Sequence, residues 1–323
     1  MARLKEYNGH YCESEYEYAF IEFLEAEGWK YSSGNNISRV TKRDVLIADD
    51  FKKFIADTNP DLTEDEVTQI YDNARLVGAE SDFATLHKVY GWMVNGVQFT
   101  PQDELPRMIP LIDFDNWDKN IFRVVNQFTV EYTNNGQKEN RRPDVLLFVN
   151  GIPLCVIELK NPADANATIY DAWEQINIRY WRDIPHLLHY CPLACILDGV
   201  KTRLGTVRTP YEHFYAWRRV NEGDAVSTLP FAETETMIKG VYAPERFMEI
   251  FRDYVYFQDS IYDSDEVEII CRYPQFFAAK LLKQSIVNSV VTRSGKGGTY
   301  FGATGCGKTY TMAFLARQLA LRC

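Results

Sequence analysis

No uninterrupted apolar run in this sequence approaches the length of a bilayer-spanning helix. Its opening, "MARLKEYNGHYCESEYEY", also has no hydrophobic segment of the kind a secretion signal needs. A cytoplasmic protein without a membrane partner is expected. Paired CxxC spacing is missing too. The seven cysteines (Cys12, Cys155, Cys191, Cys195, Cys271, Cys306 and Cys323) are odd in number and scattered, so they read as reduced thiols. Cys191 and Cys195, in "HYCPLACIL", make a poor metal site and read better as small apolar residues of a buried strand. There is no internal repeat and no low-complexity tract. Positive charge is in deficit: the formal net charge of -10 argues against indiscriminate coating of nucleic acid by the whole surface. A local groove is still allowed. Basic residues gather in Arg141-Arg142, Arg179 with Arg182, Lys201 with Arg203 and Arg208, and Arg218-Arg219, patterns met on solvated faces and in phosphate-backbone binding alike.

With 46% hydrophobic and 25% charged residues, the composition is that of a globular protein, which excludes disordered and fibrous classes. At 323 residues the chain is long for one ordinary core, and two units or one large unit plus part of another are expected. "ESEYEYAFIEFLEAEGW" sets Tyr16, Phe20, Phe23 and Leu24 at helical spacing and stops at Gly28. "NPDLTEDEVTQIYDNARLVG" offers Asp61 or Thr63 as the N-cap of another helix. From position 126 to 199 the pattern becomes strand, strand, strand, helix, strand, the helix falling on "TIYDAWEQINIRYWRDIPHLL". "NEGDAVST" reads as a surface connection, and helices are expected again on "APERFMEIFRDYVYF" and "YPQFFAAKLLKQSIV".

Two motifs carry chemistry. The first, "GATGCGKT", fits GxxxxGK[ST] in full: Gly302, Ala303, Thr304, Gly305, Cys306, Gly307, Lys308 and Thr309. It follows an extended "GGTYF" and precedes a helical segment. Its glycines let backbone N–H groups turn inward, Lys308 can reach β/γ-phosphates, and Thr309 can hold magnesium. The acidic and arginine partners that hydrolysis needs are not found in the few residues that follow, so nucleotide binding is expected of this chain and hydrolysis by it alone is not.

The second is the hairpin "RRPDVLLFVNGIPLCVIELKNP", which places Asp144 before one apolar run and Glu158 and Lys160 at the end of the next. Two carboxylates there can jointly hold a hard cation such as Mg2+ while the ammonium stabilises an anion or a forming hydroxide, which is hydrolase chemistry. Glu158 and Lys160, two apart, project from one face of the strand. A two-residue Asn150-Gly151 turn would pair position 144 with 157 and put Asp144 on the opposite face from Glu158. Convergence therefore requires a bulge, a longer turn or a twist, and Pro153 makes an irregular register credible. The alternative is an exposed ion pair at a strand end. Gln175, Arg179 and Tyr180, on the following helix, could face the charged end.

"PD" with Asp144 and "ELK" with Glu158 and Lys160 are similar to the PD-(D/E)xK nuclease core. Taken in order, "NQFTVEY", the hairpin, "YPQFFAAK" and "GATGCGKTYTM" resemble the N-terminal portion of the restriction (R) subunit of type I restriction-modification enzymes. The resemblance implies an α/β fold: a PD-(D/E)xK nuclease-like mixed sheet flanked by helices over 1–235, a helical connector over 236–270, and the opening of a RecA-like P-loop lobe over 271–323. It implies an ATP-dependent deoxyribonuclease coupled to translocation along double-stranded DNA, working with separate modification (methyltransferase) and specificity subunits. Asp144 and Glu158 would bind magnesium, Lys160 would orient or deprotonate water, and Glu17 would complete the acidic cluster. Gln275 would read adenine of ATP. The family's QxxxY element would fall on Gln175 and Tyr180, which stand one residue farther apart here. Two other readings remain open: a catalytically silent module that docks onto DNA or subunits, and an unrelated P-loop ATPase with a merely structural hairpin.

Overall fold

Asn150 and Gly151, with φ of 51° and 74°, form the left-handed pair that a two-residue hairpin turn requires. A Cβ at Gly151 would overlap the Ile47 carbonyl oxygen, so both conformation and space demand glycine there. The buried Asn150 amide fixes the turn by donating to Leu111 O (2.9 Å) and accepting from Ile121 N (2.8 Å). The computed structural model containing this hairpin describes residues 13–78, 80–161, 168–198, 200–226, 232–258 and 266–322.

The hairpin is the middle of a six-stranded mixed sheet. Its strands are β1 (Lys30–Ser33), β2 (Phe122–Asn126), β3 (Val145–Val149), β4 (Ile152–Leu159), β5 (Leu193–Leu197) and β6 (Thr202–Thr206), arranged in that order. β1 and β2 are parallel, as are β4 and β5, and the other neighbours are antiparallel. Every residue of β3, β4 and β5 is buried, as expected where helices cover both faces of a sheet. The crossover from β1 to β2 carries helices Ala48–Thr58, Glu64–Arg75 and Asp82–Asn95, and that from β4 to β5 carries the helical segment Ile169–Asp183. The first helix, Glu13–Ala26, buries Phe20, Ile21 and Leu24, and Gly28 follows it at φ 107°. Thr63, not Asp61, caps its helix, in a capping box with Glu66. Cys155, Cys191, Cys195 and Cys271 are buried free thiols, while Cys12 and Cys323 lie outside the described residues. Cys195 is within β5 and Cys191 sits two residues ahead of it.

Two local expectations change. The helix Pro244–Asp253 stops before "YVYF", and Val255–Gln258 instead pairs with Val267–Ile270. Val255 and Phe257 bury while Tyr256 and Gln258 stay out, a strand alternation that aromatic and β-branched residues favour. "GGTYF" belongs to no strand, because no neighbouring strand among the described residues offers it a ladder, and Phe301 is 95% exposed. Helices Tyr273–Thr292 and Lys308–Arg322 join the same buried cluster through Tyr254, whose ring lies 4.9 Å from Phe276 and 5.5 Å from Phe314. No helix among the described residues is long and apolar enough to cross a membrane.

Candidate active site

The register of β3 against β4 decides whether the charged ends meet. Val149 pairs with Ile152 and Phe148 with Pro153, as the tight turn dictates, but Leu147 pairs with Cys155. Leu154 is therefore an extra residue, a bulge next to the proline that cannot donate to the ladder. From there Val145 faces Ile157, so continuing the register sets Asp144 beside Glu158. The bulge reverses the face that simple two-residue pairing would assign.

Once adjacent, the two carboxylates are tied together. Asp144 Oδ2 accepts from the Leu159 amide (2.9 Å), and the Asp144 amide approaches Glu158 Oε1 at 3.4 Å. Glu158 is fully buried. Burial first, and then the Asp144 charge, push its carboxyl well above the usual carboxylate range, with Lys160 and the Tyr180 hydroxyl opposing.

Three more side chains hold this pair. Tyr180 OH donates to Glu158 Oε1 (2.6 Å), and Gln175 Nε2 donates to Glu158 Oε2 (2.6 Å) and to Tyr180 OH (2.8 Å). Gln175 Oε1 accepts from Lys160 Nζ (2.9 Å). Burial and the neighbouring Glu158 raise the Tyr180 hydroxyl well above its ordinary pKa, so it stays a donor.

Gln175 and Tyr180 are five residues apart, which in an α-helix would turn them about 140° away from each other. Residues Gln175–Tyr180 instead form a π-helical turn, and its wider i to i+5 repeat returns both side chains to one face. Arg179, beside them, turns to Glu174 (2.8 Å) and stays outside the network.

Glu17 reaches the same end of the sheet with different partners. Its oxygens accept from Asn126 Nδ2 and Gln127 Nε2, each at 2.6 Å, and the Gln127 amide donates to Asp144 O (2.9 Å). Glu17 is thus linked to Asp144 through Gln127. Sequence reasoning passed over Asn126 and Gln127; their only signal was a polar pair closing the apolar run of β2.

Among the described residues no group of three or more Asp, Glu, His or Cys side chains is placed to hold a metal ion. Two carboxylates suffice for a magnesium site, since that ion keeps several waters and shares its remaining positions with substrate oxygens. A divalent cation would offset the like charge that Asp144 and Glu158 bring together. The donor set fits Mg2+.

The GxxxxGK[ST] segment, Gly302 to Thr309, lies elsewhere. Gly305 and Gly307 (both φ 80°) turn it, and Lys308 Nζ donates to Gly302 O (2.8 Å) and Ala303 O (2.9 Å). Gln275 Oε1 accepts from Arg272 N (2.8 Å), and its Nε2 donates to Gly307 O (3.2 Å), so this side chain ties a helix start to the loop. Beside it a cleft of about 290 Å3 is lined by Gln275, Arg272, Ile269, Gly305, Gly307 and Tyr310. Thr309, on the loop's helical side, is exposed.

A family model described as "Type I restriction enzyme R protein N terminus" matches residues 11–213. The chain is 28% identical over 327 residues to the type I restriction enzyme HindI endonuclease subunit of Haemophilus influenzae, covering 95% of this chain and 30% of that protein. A provisionally named type I restriction enzyme MjaIXP endonuclease subunit of Methanocaldococcus jannaschii is 29% identical over 331 residues, covering 94% of this chain and 31% of that protein. The chain therefore spans about a third of the length of these curated relatives.

Proposed function

The chain belongs to the type I restriction enzyme R protein family, as its N-terminal region, and on that premise we propose that its bulged hairpin is a magnesium-dependent DNA nuclease centre of the PD-(D/E)xK kind. The observation that carries this reading is the register shift at Leu154, which sets Asp144 beside Glu158 and Lys160 on one end of the sheet.

Asp144 and Glu158 would hold the cation. When bound, magnesium would polarise a phosphoryl oxygen and lower the pKa of a water. The protein's own side chains do the rest. Tyr180 and Gln175 fix both oxygens of Glu158, so the carboxylate would meet a bound ion in a set orientation. Gln175 also holds the Lys160 ammonium within reach of that oxygen cluster, where it would orient the attacking water and stabilise its developing negative charge. Glu17 would act from behind, holding Asn126 and Gln127 and through them the backbone of Asp144.

Residues Gly302 to Thr309 would bind the phosphates and magnesium of ATP, with Gln275 and its neighbouring cleft taking the base, as the opening of a RecA-like lobe. In the longer protein ATP would drive movement along double-stranded DNA, and modification and specificity subunits would supply recognition. This activity would be exercised in the cytoplasm.

The test uses the full-length protein assembled with its partner subunits, supplied with Mg2+, ATP and circular duplex DNA. The parent is expected to cut, and Asp144→Ala and Glu158→Ala are expected to abolish cutting while ATP turnover continues. Undiminished cutting by either variant refutes the assignment.

A further inference from the structure

Beside the carboxylate pair is a second concavity that the chemistry above does not use. It is a polar cleft of about 610 Å3 whose walls include Arg43, Arg141, Arg182, Tyr132, Asn134 and His186. We propose that this cleft grips the phosphodiester backbone of the DNA strand entering the nuclease centre, with Arg43, Arg141 and Arg182 as the phosphate-binding residues. The proposal rests on the nuclease reading of the adjacent site.

Position is the first argument. Arg141 precedes Asp144 by three residues, a span of at most about 10 Å, and Arg182 follows Tyr180 by two on the same helical segment. The walls of the cleft are thus direct continuations of the two segments that build the catalytic end. About 10 Å is also the axial rise of roughly three nucleotides of one strand, so phosphates near the scissile one would fall into the cleft.

The state of the guanidinium groups is the second. Arg141 Nε and Nη2 reach Asp183 Oδ2 at 2.7 and 2.6 Å, while Arg182 holds the same carboxylate at 2.7 and 2.9 Å. One buried aspartate therefore pins two arginines from separate elements, and hydrogen bonds from Arg182 first and Arg141 next help keep its carboxyl below the usual range. A guanidinium has five N–H donors, so each arginine spends two on Asp183 and retains three for a ligand. Fixing a flexible cation in advance removes the ordering cost that a free surface arginine meets on binding. Arg43 makes no side-chain hydrogen bond or ion pair among the described residues. The other acid of the cleft, Glu139, is engaged by Tyr132 OH (2.6 Å) and Asn134 Nδ2 (2.9 Å).

Charge is the third. Arg43, Arg141 and Arg182 against Glu139 and Asp183 leave the cleft with an excess of one positive charge, on a chain whose formal net charge is -10. Planar N–H forks presented side by side suit phosphate oxygens.

The experiment measures binding of a fluorescent duplex to the intact protein in EDTA, where no cutting occurs, across a salt series. The double variant Arg43→Ala/Arg182→Ala is compared with Lys201→Ala/Arg218→Ala, which removes the same charge from a different concavity. The cleft variant is expected to bind at least about ten-fold more weakly at low salt, and its log K against log salt slope is expected to shrink by about two. The comparison variant is expected to keep the parent slope. Arg43→Ala alone, which breaks no side-chain hydrogen bond or ion pair among the described residues, should shrink the slope by about one. Equal losses in both double variants, or no loss in Arg43→Ala, would overturn the proposal. Asp144→Ala reports separately, because the nuclease reading predicts that it loses cutting in magnesium yet binds duplex in EDTA like the parent.

Discussion

Replacing Tyr180 by Phe deletes one atom at a point where its loss can be followed. The hydroxyl donates to Glu158 Oε1 at 2.6 Å inside a fully buried site, where the Asp144 amide approaches the same oxygen at 3.4 Å. Taking one donor from a buried ionised acceptor costs about 1–3 kcal/mol. That cost falls on the ionised form and spares the protonated one, so the variant's Glu158 is harder to ionise than the parent's. A metal site needs this carboxylate ionised, and every 1.4 kcal/mol is about ten-fold in affinity. Tyr180→Phe should therefore need on the order of ten-fold more Mg2+ for half-maximal cutting near neutral pH. The acid limb of its pH–rate profile should move to higher pH. Supercoiled-plasmid cutting by the assembled enzyme, over a grid of pH and Mg2+, measures both. An unchanged acid limb together with an unchanged Mg2+ requirement would refute the claim that this hydroxyl supports the charge on Glu158.

The raised pKa of Glu158 also has a sign in stability. A carboxyl whose folded pKa exceeds its unfolded value contributes stability fully below the unfolded pKa, and this is lost as pH rises through the folded one. Thermal melting of the metal-free protein should show that decline, and Mg2+ should diminish it. Deleting Asn177 restores a four-residue spacing between Gln175 and Tyr180, and an α-helical turn then brings them to one face. The deletion is expected to keep cutting and to change stability by less than about 1 kcal/mol, as read from a urea midpoint; a folded but inactive product would contradict the role given to the π-turn. Gly151→Ala combines a φ of 74° with overlap on the Ile47 carbonyl, and denaturant unfolding should show a loss of about 1–3 kcal/mol.

Much of the mixed α/β architecture was legible because its signals are local. Asn150-Gly151 announced the hairpin, a capping residue at Asp61 or Thr63 announced a helix start, and the apolar spacing of Phe20 and Leu24 announced the first helix. The bulge was required by the chemistry, and Pro153 pointed to its neighbourhood without fixing the residue. Every residue of β4 is buried, so no polar alternation marks where the phase slips at Leu154. The π-turn was hidden for a related reason. Helical periodicity finds a helix over 168–188, but widening one turn depends on Gln175 and Tyr180 both meeting Glu158, a contact between distant segments. "YVYF" after Asp253 misled because a short aromatic run fits a helix end and a strand equally well. Glu17 was expected in the acidic cluster only through the family resemblance, and its capture by Asn126 and Gln127 follows from where β2 ends.

The most direct measurement is calorimetric titration of the nucleotide-free protein with Mn2+, in two buffers of different ionisation enthalpy. One ion should bind per chain, with protons released in greater number as the pH is lowered toward that of a protonated Glu158, and Asp144→Asn and Glu158→Gln should each remove the signal. Equal binding by parent and both variants would contradict a divalent ion shared by these two carboxylates.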